Sequence, residues 1–155
     1  MVTTPEDSTE KTTPLAGSRA RIILYAIVAI ISLIGLADAA YLTVTHLTGE
    51  DLVCGPPGGC SVVLGSVYAS VAGIPTAAFG ALGYFAAFSF VTLAAFGYAR
   101  ARIFLSLVVA GMFAATLGLL YVQAFVLHAF CPFCLLSAAL VFLLAGIVIA
   151  IPSSR

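Results

Sequence analysis

Charge is scarce in this sequence. Of 155 residues only 8% are Asp, Glu, Lys or Arg, 63% are hydrophobic, and the formal net charge is zero. Mean hydropathy is +1.21. A soluble domain carries about 25% charged and roughly 45–50% apolar residues. A water-soluble core of this length could not hide so much apolar surface, so soluble classes are excluded. The absence of a basic excess removes any electrostatic footprint for nucleic acid.

Basic residues are missing from two long intervals. The six present are Lys11, Arg19, Arg21, Arg100, Arg102 and Arg155. Four apolar runs, 22–45, 73–98, 103–127 and 132–151, are long enough to span, since about 20 residues at 1.5 Å each cross a bilayer core. Backbone groups in lipid must pair within their own segment, so each run reads as a helix. Three basic residues precede the first run, two separate the second from the third, and one follows the fourth. By the positive-inside rule both termini are cytoplasmic and the loops near 46–72 and 128–131 face outward. Arg19, Arg21, the first apolar run and "ADA" at 37–39 also resemble a cleavable signal peptide. That run is longer than a signal core and is read as a span. Residues 1–20 read as a disordered cytoplasmic tail, 21–152 as a four-helix membrane domain, and 153–155 as a short cytoplasmic tail.

Cysteine is equally scarce. Cys54, Cys60, Cys131 and Cys134 are the only four, and all fall at the outward ends of the expected spans. The outer face of a plasma membrane is the oxidising side, where disulfides persist. Four cysteines permit three pairings, and the spacing suggests two local pairs. In "GEDLVCGPPGGC", Pro56, Pro57, Gly58 and Gly59 favour a turn over a helix. That loop either closes a structural staple or lets Cys54 swing. In "CPFC", Pro132 suits the first position of a helix. Cys131 then sits near the N-cap and Cys134 in the first turn, where unpaired N–H groups and the helix dipole favour a thiolate. Two sulfurs three residues apart share a face and can bridge, but such a bridge braces nothing distant. A redox role is favoured.

Other cysteine chemistries lack their signatures. Haem attachment needs C-x-x-C-H, and Leu135 follows Cys134. A four-cysteine zinc site normally has two short knuckles, and one gap here holds five residues. A soft-metal-binding or transport protein using the four thiols is the alternative, although the adjacent cysteines of mercury carriers are missing. A structural bundle with two staples is the blandest option. His46 and His128, at the outer interface, can tune a thiol, bind metal or simply be solvated. The pair 54/60 lies where a soluble thiol protein can reach it, and 131/134 lies where a lipid-dissolved oxidant such as a quinone can. Exchange between them would run through a mixed disulfide.

The C-x5-C after the first span, the run "CSVVLGSVYASVAGIP" and C-P-F-C opening the last span resemble bacterial vitamin K epoxide reductase homologues over roughly residues 20–151. The resemblance implies four helices around a quinone (menaquinone or ubiquinone), with a short half-helix at 61–72 capping it. It implies that Cys134 faces the quinone and that Cys131 is attacked by Cys60 during relay. Cys54 would exchange with an external thioredoxin-like disulfide oxidase. Ser66, six residues after Cys60, matches a serine near the quinone head group. Thr76 stands where vertebrate members have an asparagine, and Ala138 where they have a tyrosine, both hydrogen-bonding vitamin K oxygens. Their absence points to plain quinone reduction rather than epoxide reduction. The thioredoxin-like domain fused to some bacterial members is missing, which makes the partner a separate protein.

Asp38, in the outer third of the first span, is costly in lipid unless it meets a polar cavity or partner. It either serves the quinone and thiols or simply reaches the interface. Gly73, Ala77, Gly80, Gly83, Gly111 and Gly118 suit close helix packing. Phe79, Tyr84, Phe113, Tyr121 and Phe125 are candidates for lining a quinone pocket or for core and lipid contact.

Overall fold

The structure is a computed structural model that describes residues 14–49 and 59–151. Cys54, the prolines of its loop, tail residues 1–13 and residues 152–155 lie outside the described residues. Four long helices dominate: α1 (Pro14–Thr48), α3 (Thr76–Ala95), α4 (Ala99–Tyr121) and α5 (Pro132–Ala150), with a short α2 (Gly59–Leu64) after the first loop. All four long helices, α4 together with the turn that continues it, are long and apolar enough to cross a membrane. The all-α, four-span expectation holds, and this is a multi-pass membrane protein. The first helix begins at Pro14, inside the expected tail. Helical hydrogen bonding simply continues outward from the apolar run, because no proline interrupts it between Pro14 and Thr48.

Helix α1 packs on α3 and α5, and α4 closes the ring by packing on the same two. The core inside the ring includes Val28, Ala87, Val91, Leu105, Val109 and Leu144. Large side chains such as Ile30, Leu107 and Ile149 point outward. An outward apolar belt is stable only against lipid, where burial between helices gains little from hydrophobicity and much from close fit. Gly35 supplies the closest fit: a Cβ there would overlap the ring of Tyr84, which is 1% exposed. Gly83 and Gly80 also lie at interfaces, facing Met112 and Ala39. Gly111 and Gly118 do not, since nothing lies within 4 Å of a Cβ built on either.

The half-helix expected over 61–72 is shorter. Helix α2 stops at Leu64, where the Gly65 N–H bonds the Ser61 carbonyl and Ser66 turns to extended backbone. Ser66 Oγ donates to the Val63 carbonyl at 2.7 Å and satisfies one of the helix's orphan acceptors. A 3-10 turn (Val67–Ala69) leads to a small antiparallel ribbon, β1 (Ser70–Val71) with β2 (Ile74–Pro75), paired Ser70 to Pro75 and Val71 to Ile74. Ala72 and Gly73 form its two-residue turn, with φ of 52° and 83°. Hairpin turns of this length favour positive φ because it matches strand twist. Gly73 is therefore a turn glycine and not, as expected, a packing one.

Gly35→Ala should destabilise the protein by about 1–3 kcal/mol, because Tyr84 has no room to retreat in a packed interface. Gly111→Ala, with open space around it, should leave the melting temperature of the detergent-solubilised protein within error of the parent. Equal melting of all three proteins would show that the Gly35–Tyr84 fit is unimportant.

Candidate active site

The cysteine-bearing end of the bundle is built from segments far apart in sequence. Near its C-terminal end α4 passes into a π-helical turn, Val122–Leu127, and His128 ends it in left-handed backbone with φ 47°. Wide turns of this type are rare and are frequently found at functional sites. The Gln123 carbonyl receives the His128 N–H and, at 3.2 Å, the Ala129 N–H. The chain then turns back so that Cys131 caps α5, with Pro132 in the first turn and the Leu135 N–H bonded to the Cys131 carbonyl at 2.9 Å.

Helix α2 lies over this N-terminus. Its Cys60, 1% exposed, packs with Val63 and with Cys131, which is 0% exposed, in a small apolar cluster that also contains Leu127 and Phe133. The Cys60 and Cys131 sulfurs are 3.4 Å apart, across 71 residues of chain. Cys60 is disulfide-bonded. Cys131 and Cys134 are free thiols, so the partner of Cys60 lies outside the described residues. A disulfide sulfur is thus in contact with a thiol sulfur, the arrangement from which thiol–disulfide exchange starts.

The first turn of α5 acts on Cys131. A hydrogen bond from Cys134 lowers its pKa most, burial opposes, and the backbone N–H groups of Cys134 and Phe133 add to the lowering. The charge of Asp38 opposes weakly, and the net result is a thiol brought down to about 7. The sequence pattern placed Cys134 closest to the unpaired N–H groups, whereas the fold aims those of the first turn at the sulfur of the cap residue.

Cys134 faces the other way, into a cavity of about 350 Å³ enclosed by α1, α3, α4 and α5 and covered by residues 63–69. Much of its wall is apolar, from side chains such as Leu42, Phe79, Met112, Leu119 and Val141. Ser66, Thr76 and Ala138 all reach it, the last buried at 6% exposure. Asp38 does not line it. Its Oδ2 is buried without a hydrogen-bond partner, and its influence on the site is electrostatic, through Cys131. Among the aromatic candidates Phe79 and Tyr84 reach the cavity. Phe113 instead packs edge-on against Phe142, and Tyr121 against Phe125.

A sequence model of the vitamin K epoxide reductase family matches residues 26–149. The chain belongs to the vitamin K epoxide reductase family. It is accordingly a membrane thiol-disulfide oxidoreductase, and the match takes in Cys54, Cys60, Cys131 and Cys134.

Three polar features at the site escaped the sequence pattern. Tyr84 and Ser137 are joined, the phenol at 3.0 Å from the Ser137 carbonyl and 2.9 Å from its hydroxyl. The π-helical turn leaves no compositional trace. Gln123, 4% exposed, receives the Cys131 N–H on its Oε1 at 3.4 Å. The available signal for it was rarity: the chain has one glutamine and no asparagine. A lone carboxamide in a membrane span is expensive unless it finds a polar partner.

Above pH 7 Cys131 is mainly thiolate, so its exchange with the Cys60 disulfide should be fast there and fall as pH drops through about 7. Cys134→Ala removes the largest lowering contribution and should move that midpoint upward, toward the ordinary thiol range near 8.5. Time-resolved thiol trapping across pH checks both; an unmoved midpoint would remove the Cys134 hydrogen bond as the cause.

Proposed function

We propose that this protein reoxidises an extracytoplasmic thioredoxin-like disulfide oxidase and passes the electrons to a membrane quinone, menaquinone or ubiquinone. The observation that supports this best is the sulfur sequence itself: a disulfide at Cys60, in contact with Cys131, whose neighbour Cys134 opens onto a lipid-level cavity.

On this proposal Cys54 completes the Cys60 disulfide and meets the external thiol partner. The partner's dithiol reduces that bond. Cys60, freed as thiolate, attacks Cys131 of an oxidised Cys131–Cys134 pair, forms a Cys60–Cys131 disulfide and releases Cys134. Attack by Cys54 on Cys60 then frees Cys131 and restores the loop disulfide. The state in the structure, with Cys60 oxidised and both α5 thiols reduced, stands after this relay. The quinone takes the two electrons and two protons of the α5 dithiol, which leaves a disulfide and a quinol. The cavity's apolar wall suits a lipid-soluble ring, and Thr76 and Ala138 together offer it little to bind an epoxide oxygen. The Thr76 hydroxyl donates to the Tyr68 carbonyl at 3.0 Å, and Ala138 has no polar group. One-sided placement of Lys and Arg sets the termini in the cytoplasm and all four cysteines outside.

A soft-metal site would need its thiols reduced and gathered. Cys60 is in a disulfide, and no three of His, Cys, Asp and Glu come together among the described residues.

Purified protein in detergent should reduce a short-chain quinone when supplied with a reduced thioredoxin-like substrate. Cys134→Ala should abolish quinone reduction and, before reduced substrate is added, hold part of the protein as a Cys60–Cys131 disulfide, formed when Cys131 attacks Cys60 and releases Cys54, visible in non-reduced peptides by mass spectrometry. Unchanged turnover in that variant, or stoichiometric metal in place of quinone reduction in the parent, would rule the proposal out.

A further inference from the structure

A quinone carbonyl only accepts hydrogen bonds, so the question for the cavity is which donor protons remain uncommitted beside the dithiol. Those of Ser66 and Thr76 point away, at the carbonyls of Val63 and Tyr68. Tyr84 and Ser137 are bonded to each other. Cys134 donates to the Cys131 sulfur. His46, Tyr68 and Thr116 reach the cavity from the end of α1, from the 3-10 turn and from α4, two turns before Gln123.

Gln123 differs from these in being tied directly to the dithiol segment. A carboxamide has an accepting oxygen and a donating nitrogen, normally hard to tell apart. Here the Cys131 N–H, which only donates, settles the orientation: the oxygen faces Cys131. The –NH2 must then be directed elsewhere. Gln123 lines the cavity, and its hydrogen bond to Cys131 uses only the oxygen of the carboxamide. The side chain cannot swing freely, because its Oε1 is held by the Cys131 N–H and the residue is 4% exposed. The buried side-chain atoms left without a partner among the described residues are Arg21 Nε and Asp38 Oδ2, not the Gln123 nitrogen, and an acceptor in the cavity would give that nitrogen a hydrogen bond.

We propose that Gln123 is the head-group ligand of this protein: its Oε1 holds the Cys131 backbone, and its –NH2 donates to a carbonyl oxygen of the quinone beside Cys134. The proposal rests on the quinone-reductase function above and adds to it the residue that registers the acceptor against the sulfur. One side chain thereby sets both the cap of α5 and the position of the ring, so acceptor binding and dithiol geometry are coupled through a single carboxamide. The π-helical turn is what brings this position inward.

The test uses full-length protein in detergent with ubiquinone-1 as the probe. Gln123→Glu keeps an oxygen for the Cys131 N–H but, when ionised, has no proton to donate. It should raise the KM for ubiquinone-1 about three- to tenfold, the weight of one or so hydrogen bonds. Reduction of the Cys131–Cys134 pair by external thiol, read by trapping without quinone, should still go to completion, slowed near neutral pH only as far as the new charge disfavours the Cys131 thiolate. Gln123→Met, of similar length and unable to donate or accept, should raise the KM equally and also slow that reduction; it serves alone if the Glu variant does not fold. A parent-like KM in either folded variant overturns the proposal. Failure of the parent protein to reduce ubiquinone-1 or any other quinone would instead defeat the function on which it rests.

Discussion

In lipid, a backbone N–H or C=O has no water to turn to, and every other feature of this molecule follows from that constraint. It makes the spans helical and confines irregular backbone to helix ends. Among the described residues the 3-10 turn, the β-ribbon, the π-helical turn and the left-handed His128 all belong to the segments that meet around the cysteines. There the chain leaves the helical ladder, as it also does at the Gly97 turn between α3 and α4, and can aim a backbone donor at something other than the preceding turn. Chemistry is found where the hydrogen-bonding rule relaxes.

The two thiols of the C-P-F-C motif are equivalent in sequence and unlike in the fold. Cys131 is the cap residue, wholly buried, touching Cys60 and receiving hydrogen bonds that bring its pKa down to about 7. Cys134, one turn in, opens onto the cavity. On the proposed function, sulfur exchange and electron delivery are divided between neighbours three residues apart, with the α5 N-terminus favouring charge on the exchanging one. The buried, orphaned Oδ2 of Asp38 lies close enough to be felt at Cys131 and opposes that charge. Burial is the larger brake on the thiolate, and Asp38 adds weakly to it.

Four spans were legible because apolar runs of 20 or more residues admit one backbone solution in lipid. The C-x-x-C at a helix start was legible because its geometry is local. The length of the half-helix was not. "VLGSVYASVAGIP" is apolar enough for a helix, and the Ser66 hydroxyl on the Val63 carbonyl ends it after Leu64. Glycines were legible as small, but the sequence did not say what each is for. Gly35 makes room for Tyr84, Gly73 supplies a turn, and Gly111 meets nothing within 4 Å. A missing side chain signals the same thing in all three cases, and only the neighbour distinguishes them.

The sequence by itself determined that this is a four-helix membrane protein with cysteines at helix ends, because span length, motif spacing and charge asymmetry all act within a few turns of chain. The tertiary structure alone decided that Cys60 meets Cys131 across 71 residues, that Tyr84 reaches Ser137, and that Gln123 holds the cap of α5. Those contacts depend on which faces of the helices meet, and side chains that all favour lipid leave no periodic mark to say so.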